Sequence, residues 1–141
     1  WRIIMELELL EWDDKYSVGY KLIDEQHKRL FVIYNQVVKI KQQEKQGAVA
    51  DSAVLGQILK DLSDYVHIHF LTEEEVMKVY GYEQFEPHKK IHDQFFKIVE
   101  EICNDFNKGQ LVLIDTFVRT IHKWLVHHVM VEDQKYKGLL R

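Results

Sequence analysis

In the run His69-Phe-Leu-Thr-Glu73-Glu-Glu-Val-Met77 an imidazole and a carboxylate stand four residues apart, one turn of helix, so they share a face. Upstream, Leu55, Leu59, Leu62 and Val66 alternate steps of four and three, the spacing that keeps one helical face turned toward a partner. His69, Glu73 and Val76 are the next positions in that rhythm. An unpaired charge or unsatisfied imidazole on such a face costs on the order of several kcal/mol, so groups inside the protein must bond to both.

The elements that position this pair follow from the punctuation. Glycines and the one proline divide the chain after a non-helical arm of residues 1–20 or so. The pattern predicts four helices: Leu22 to Gln46, stopped by Gly47; Ser52 to Tyr80, stopped by a left-handed cap at Gly81; one opening near Pro87 and ending before Gly109; and Val112 to Tyr136. Short links favour antiparallel neighbours, hence an all-α, up-down-up-down four-helix bundle over residues 21–137 within a single domain 1–141.

Each predicted inward row carries histidine. The first reads Ile23, His27, Leu30, Tyr34, Val37; the third His88, His92, Phe95, Val99, Ile102, Phe106; the fourth Ile114, Phe117, Ile121, Trp124, His128, Val131. Antiparallel packing then gathers His27, His69, His88, His92 and His128 at one end of the bundle. One histidine on an apolar face is usually a hydrogen-bonded core residue, but five imidazoles among carboxylates would leave too many donors and acceptors unsatisfied without a metal. His67, His122 and His127 lie off these rows and read as surface or boundary residues. Glu74, Glu75 and Glu132 read as a solvated acidic face, and Cys103 as a small hydrophobe.

Composition bounds the alternatives. The chain has 141 residues, 46% hydrophobic and 30% charged, with Gly 6 and Pro 1, which suits one helical globular domain. A net charge of -4 with mixed signs offers no footprint for nucleic acid and no membrane patch, and no protein partner is evident. One cysteine excludes an internal disulfide, no apolar run reaches the roughly 20 residues of a membrane span, and the N-terminus lacks a signal-peptide pattern, so a cytoplasmic location is expected. The chain opens on Trp1 and first shows methionine at Met5; either Met5 is the natural start or the domain is cut from a longer protein.

Five nitrogens with carboxylates and no thiolate exceed what one tetrahedral zinc uses and do not suit the oxygen shells of calcium or magnesium; iron is the natural candidate. The Glu-x-x-His pairs of ferritin-like di-iron bundles are absent. The blocks HKRLF at His27, HFLTEE at His69, HKKIH at His88 and WLVHHVMVED ending at Asp133, after a WDDKYSVGY arm, resemble the ligand blocks of the hemerythrins, specifically bacterial hemerythrin-like domains.

The resemblance implies a non-heme di-iron protein. His88, His92 and His128 would bind one iron, His27 and His69 the other, and Glu73 and Asp133 would bridge the two iron ions beside an oxo or hydroxo group. One iron is then six-coordinate and the other five-coordinate, leaving a position where dioxygen binds reversibly as hydroperoxide. Leu30, Phe70, Trp124, Leu125 and Val129 match the family's apolar oxygen pocket. Asp133 fits least well by spacing, because five residues past His128 is about 140° around an ideal helix. Oxygen storage or delivery is the leading expectation, ahead of an oxygen- or redox-sensing domain of a signalling protein. A di-iron enzyme reducing peroxide or nitric oxide ranks third, since no inward acid or base lies among the matched pocket residues.

Overall fold

The computed structural model describes residues 9–45, 47, 52–108 and 114–140. Residues 1–8 of the expected arm lie outside the described residues. Four helices follow in order: α1 (Lys21–Lys45), α2 (Ser52–Val79), α3 (Phe85–Asn107) and α4 (Ile114–His127). They form the all-α bundle that the periodicity predicts, with α1 against α2 and α4, and α2 against α3. No described helix is long and apolar enough to cross a membrane.

Helix ends fall close to the predicted ones. Gly81 adopts a φ of 70°, and the chain past it turns back so that Tyr82 N donates to Met77 O at 2.9 Å; a side chain with a Cβ would strain that left-handed cap. Pro87 is the third residue of α3, within the turn where its missing N–H costs nothing.

The arm is not wholly irregular. Asp14–Tyr16 make a 3-10 turn, capped by Asp13 through Lys15 N. Tyr16 meets Phe31 edge to face and Trp12 packs tilted on both, while Asn35 exchanges two bonds with the Leu10 backbone at 2.8 and 2.9 Å. Farther along, the Asp24 carboxylate accepts from Ser17 Oγ and Val18 N, so the first turn of α1 is fastened to the arm.

The main departure from the expected elements is at the end of the fourth helix. The α geometry stops at His127, His128–Glu132 form a π turn, and Asp133–Tyr136 close it with a 3-10 turn. Asp133 N–H reaches the carbonyl of His128, five residues back. The predicted inward row fails here: Val131 is 43% exposed, and Val129 is buried in its place. A similar slip places Met77 in the core where Val76 was expected, with Val76 only half-buried.

The apolar interior comes in two parts. A large cluster runs from Leu10 and Phe31 through Leu30, Leu59, Leu62, Val66 and Phe70 to Leu125 and Val129. A small one holds Val18, Ile23, Met77, Tyr136 and Leu140. Each fully buried Leu, Ile or Phe contributes about 1.5–3 kcal/mol. His27 falls between Ile23 and Leu30, Glu73 between Phe70 and Met77, and Asp133 between Val129 and Tyr136, so these three stand where the two clusters meet, while His69 and His128 are flanked by residues of the large cluster.

Candidate metal centre

All seven residues expected at the metal come together in that layer, each at most 2% exposed. They form two overlapping groups in which one ligand atom from each residue lies within 4.8 Å of the others: Glu73, His88, His92, His128 and Asp133, and His27, His69, Glu73 and Asp133. Glu73 and Asp133 belong to both. The carboxylates divide their oxygens accordingly. Glu73 Oε1 is 2.8 Å from His88 Nε2, 3.0 Å from His92 Nε2 and 3.6 Å from His128 Nε2, while Oε2 is 3.5 Å from His27 Nε2 and 3.4 Å from His69 Nε2. Asp133 Oδ1 is 2.9 Å from His128 Nε2 and 3.1 Å from His88 Nε2, and Oδ2 is 3.0 Å from His27 Nε2.

The π turn explains how Asp133 arrives there. An α-helix would carry a residue five positions past His128 well off its face; widening the turn so that N–H bonds reach back five residues returns Asp133 to the side of His128.

Several polar atoms of these residues make no hydrogen bond. His27 Nδ1 and Nε2, His69 Nε2, His128 Nδ1 and both Asp133 oxygens are buried without a hydrogen-bond partner. His92 Nε2 and His128 Nε2 face each other at 3.0 Å. Leaving such atoms unsatisfied costs about 1–3 kcal/mol each, more if charged. Ring nitrogens and carboxylate oxygens turned toward shared points rather than along hydrogen bonds fit cations there, and an all-nitrogen-and-oxygen set with no thiolate suits iron.

Residues outside the seven set the histidine tautomers. His69 Nδ1 lies 2.8 Å from Gln26 Oε1, and His92 Nδ1 lies 2.8 Å from Glu74 Oε2. Both partners accept, so each Nδ1 carries the proton and Nε2 is left as a bare lone pair. Gln26 is itself held by its Nε2 donating to Thr72 Oγ1 at 3.3 Å, and Tyr136 donates its hydroxyl to Glu73 Oε2 at 2.9 Å. Glu74 corrects the expectation of a solvated acidic face. It is 8% exposed and bonded to His92, whereas Glu75 is exposed and Glu132 pairs with Lys135 near the surface. Gln26, Glu74 and Tyr136 did not emerge from the inward rows. The first two carried a signal, since Ile23-Gln26-Leu30-Ile33 and Phe70-Glu74-Met77 also step by threes and fours.

The electrostatics of the protein without a cation follow from this crowding. Burial pulls the His27 and His88 imidazoles down, but the adjoining Asp133 and Glu73 carboxylates more than offset it and raise each to about 9. His128 rises to about 9 as well, through the Asp133 charge and the same two carboxylates acting against burial. Burial dominates at His69 and lowers it. Glu73 and Asp133 are both held below the usual carboxylate range: burial pushes them up, and the surrounding imidazoles outweigh it. Burial raises the Tyr136 phenol, as do the neighbouring carboxylate charges.

Of the residues matched to an oxygen pocket, Leu30, Phe70, Leu125 and Val129 are buried in the large cluster, and half-buried Trp124 packs against it. Phe70 stacks flat on His92 with centroids 3.8 Å apart, and Trp124 on His128 at 4.3 Å and on Phe95 at 3.7 Å. Among the remaining histidines, His67 and His127 are exposed and His122 half-buried, away from the centre as expected.

Comparison with known proteins agrees with this geometry. The family model described as the hemerythrin HHE cation binding domain matches residues 18–140. The chain is 31% identical over 130 residues to a bacteriohemerythrin of Stenotrophomonas maltophilia, covering 92% of this chain and 80% of that protein. It is 32% identical over 133 residues to a myohemerythrin of Theromyzon tessulatum, covering 94% and 95%. A crystal structure of wild-type hemerythrin superposes with a TM-score of 0.83 at 28% identity, covering 94% of this chain and 98% of that one.

Proposed function

Because the chain belongs to the hemerythrin HHE family, we propose that it binds dioxygen reversibly at a centre of two iron ions, for storage, delivery or sensing rather than for turnover. The observation that supports two ions is the sharing of Glu73 and Asp133 between a three-histidine group and a two-histidine group. In this reading His88, His92 and His128 would hold one ion and His27 and His69 the other, with Glu73 and Asp133 shared between them. Two iron ions held there would supply reversible two-electron chemistry toward dioxygen.

The protein's part is to hold the ligand atoms and keep the surroundings dry. Gln26 and Glu74 keep protons on the outer nitrogens of His69 and His92, so their inner nitrogens are available to metal without a proton leaving first. Tyr136 holds a proton on its hydroxyl against Glu73 and thereby fixes that carboxylate's rotation. Leu30, Phe70, Trp124, Leu125 and Val129 form the oxygen pocket in this reading, excluding water from the histidine side of the layer.

Iron analysis of the purified protein should give two ions per chain, with an absorption spectrum that changes reversibly as dioxygen is admitted and removed. One zinc ion per chain, or a spectrum indifferent to dioxygen, would refute it.

A further inference from the structure

The Gln134 side chain turns its amide nitrogen toward backbone carbonyls. Its Nε2 lies 3.2 Å from Tyr16 O, 3.3 Å from Ser17 O and 3.2 Å from Val129 O. Three carbonyl oxygens around one end of an amide fix that end as the nitrogen, with its two hydrogens shared among them. The Val129 carbonyl is the one an α-helix would pair with Asp133 N–H. In this chain that N–H goes to His128 O instead, and the Gln134 amide takes up the released carbonyl. The other two contacts anchor the same amide to the arm, which Asp24 in turn fastens to the start of α1, three residues before His27. The π turn is therefore held from outside by a strap that begins more than a hundred residues away in sequence.

We infer that Gln134 is a positioning residue: by bridging the Val129 carbonyl to the Tyr16 and Ser17 carbonyls it keeps the π turn open and Asp133 directed at both histidine groups. An α-helical closure of the turn would return the Val129 carbonyl to Asp133 N–H and rotate the Asp133 side chain away from His128. The metal arm of the test rests on the proposed two-ion centre; the backbone arm does not.

The test compares the parent with Gln134→Met, which keeps length and volume but donates nothing, and with Gln57→Met, which removes an exposed amide bonded only to Asp61. Each whole chain, stripped of metal, is titrated with cobalt(II) alone, and amide hydrogen exchange is followed at Asp133. Gln134→Met should weaken cobalt binding about ten-fold or more, the loss typical when a group supporting a metal ligand is removed, and should speed exchange at Asp133; Gln57→Met should match the parent in both. Where Gln134→Met does not fold, Gln134→Asn, too short to span arm and turn together, carries the same readouts. A variant that melts earlier yet binds cobalt and exchanges like the parent would overturn the inference, leaving Gln134 a structural tie. A parent that takes up no cobalt would instead refute the two-ion centre, while exchange at Asp133 would still decide the role of Gln134.

Discussion

Glu74 Oε2 accepts the Nδ1 proton of His92 at 2.8 Å, while the adjacent Glu73 turns its carboxylate into the centre and meets the same ring's Nε2 at 3.0 Å. Neighbouring glutamates thus grip opposite edges of one imidazole. A carboxylate behind the ring strengthens it as a donor toward metal. Glu74→Gln should preserve the bond through its amide oxygen and keep metal affinity within a few-fold of the parent. Glu74→Leu leaves a buried N–H without an acceptor and should weaken affinity by about 10–100-fold, measured by competition with a chelator of known strength.

Glu73 and Glu75 separate the inward and outward faces of the same turn. Glu73→Ala should abolish two-ion loading, because every histidine group loses a shared carboxylate. Glu75→Ala removes an exposed side chain and should leave both iron content and absorption near those of the parent. Equal losses in the two variants would mean that α2 presents a different face.

Without metal, stability should fall as pH rises. His27, His88 and His128 are raised in the folded protein to about 9, above their ordinary 6.5. The native state therefore binds more protons than the unfolded chain between those values. Their stabilising contribution is complete below about pH 6.5 and is lost as pH climbs through 9. Glu73 and Asp133 act in the opposite sense, lowered in the fold, so their contribution is present above the usual carboxylate range and lost in acid. His69, lowered by burial, takes some stability away below pH 6.5. Calorimetry of the chelator-treated protein should show a melting temperature that declines from pH 6.5 to 9. The iron-loaded protein should not share this decline, since metal binds the deprotonated ligands and gains affinity as pH rises.

Leu125 tests dryness. It is 1% exposed, one residue past Trp124 and one turn before His128. Leu125→Ala should cost about 2–5 kcal/mol in stability if the site is packed. With no ligand altered, iron content should hold at the parent value. Water admitted to the pocket should shorten the life of the oxygenated form, seen as faster decay of its spectrum in air. A folded, fully loaded variant that decays at the parent rate would exclude Leu125 as the barrier.

Regular helix explains what was legible beforehand. The α1 and α3 rows, and α2 as far as Glu73, hold to steps of three and four, so Ile23, His27, Leu30 and Tyr34 on one helix and His88, His92, Phe95 and Val99 on another could be placed on a face by counting. Asp133 could not. Its position depends on a π turn, which leaves no period in the sequence and is held by a long-range bond from Gln134 to the arm. Val131 was misplaced for the same reason. Glu74 was missed differently: Phe70-Glu74-Met77 steps by four and three as an inward row does, but that Glu74 meets His92 Nδ1 depends on how α2 packs against α3.

The histidine and carboxylate layer interrupts the apolar interior, with Ile23, Met77 and Tyr136 on one side and the large cluster on the other. Apolar contact, which binds most helical bundles into one cooperative unit, is therefore interrupted at this level. What joins the two sides there is polar: imidazoles and carboxylates paired with one another when the site holds protons, or through cations in the proposed reading. The small cluster, with the 3-10 turn that carries Tyr136, is expected to open separately from the large one, with a coupling that varies with metal content. In the proposed reading iron would act as a rivet between the two parts, and its removal should loosen the Tyr136 end before the bundle itself gives way.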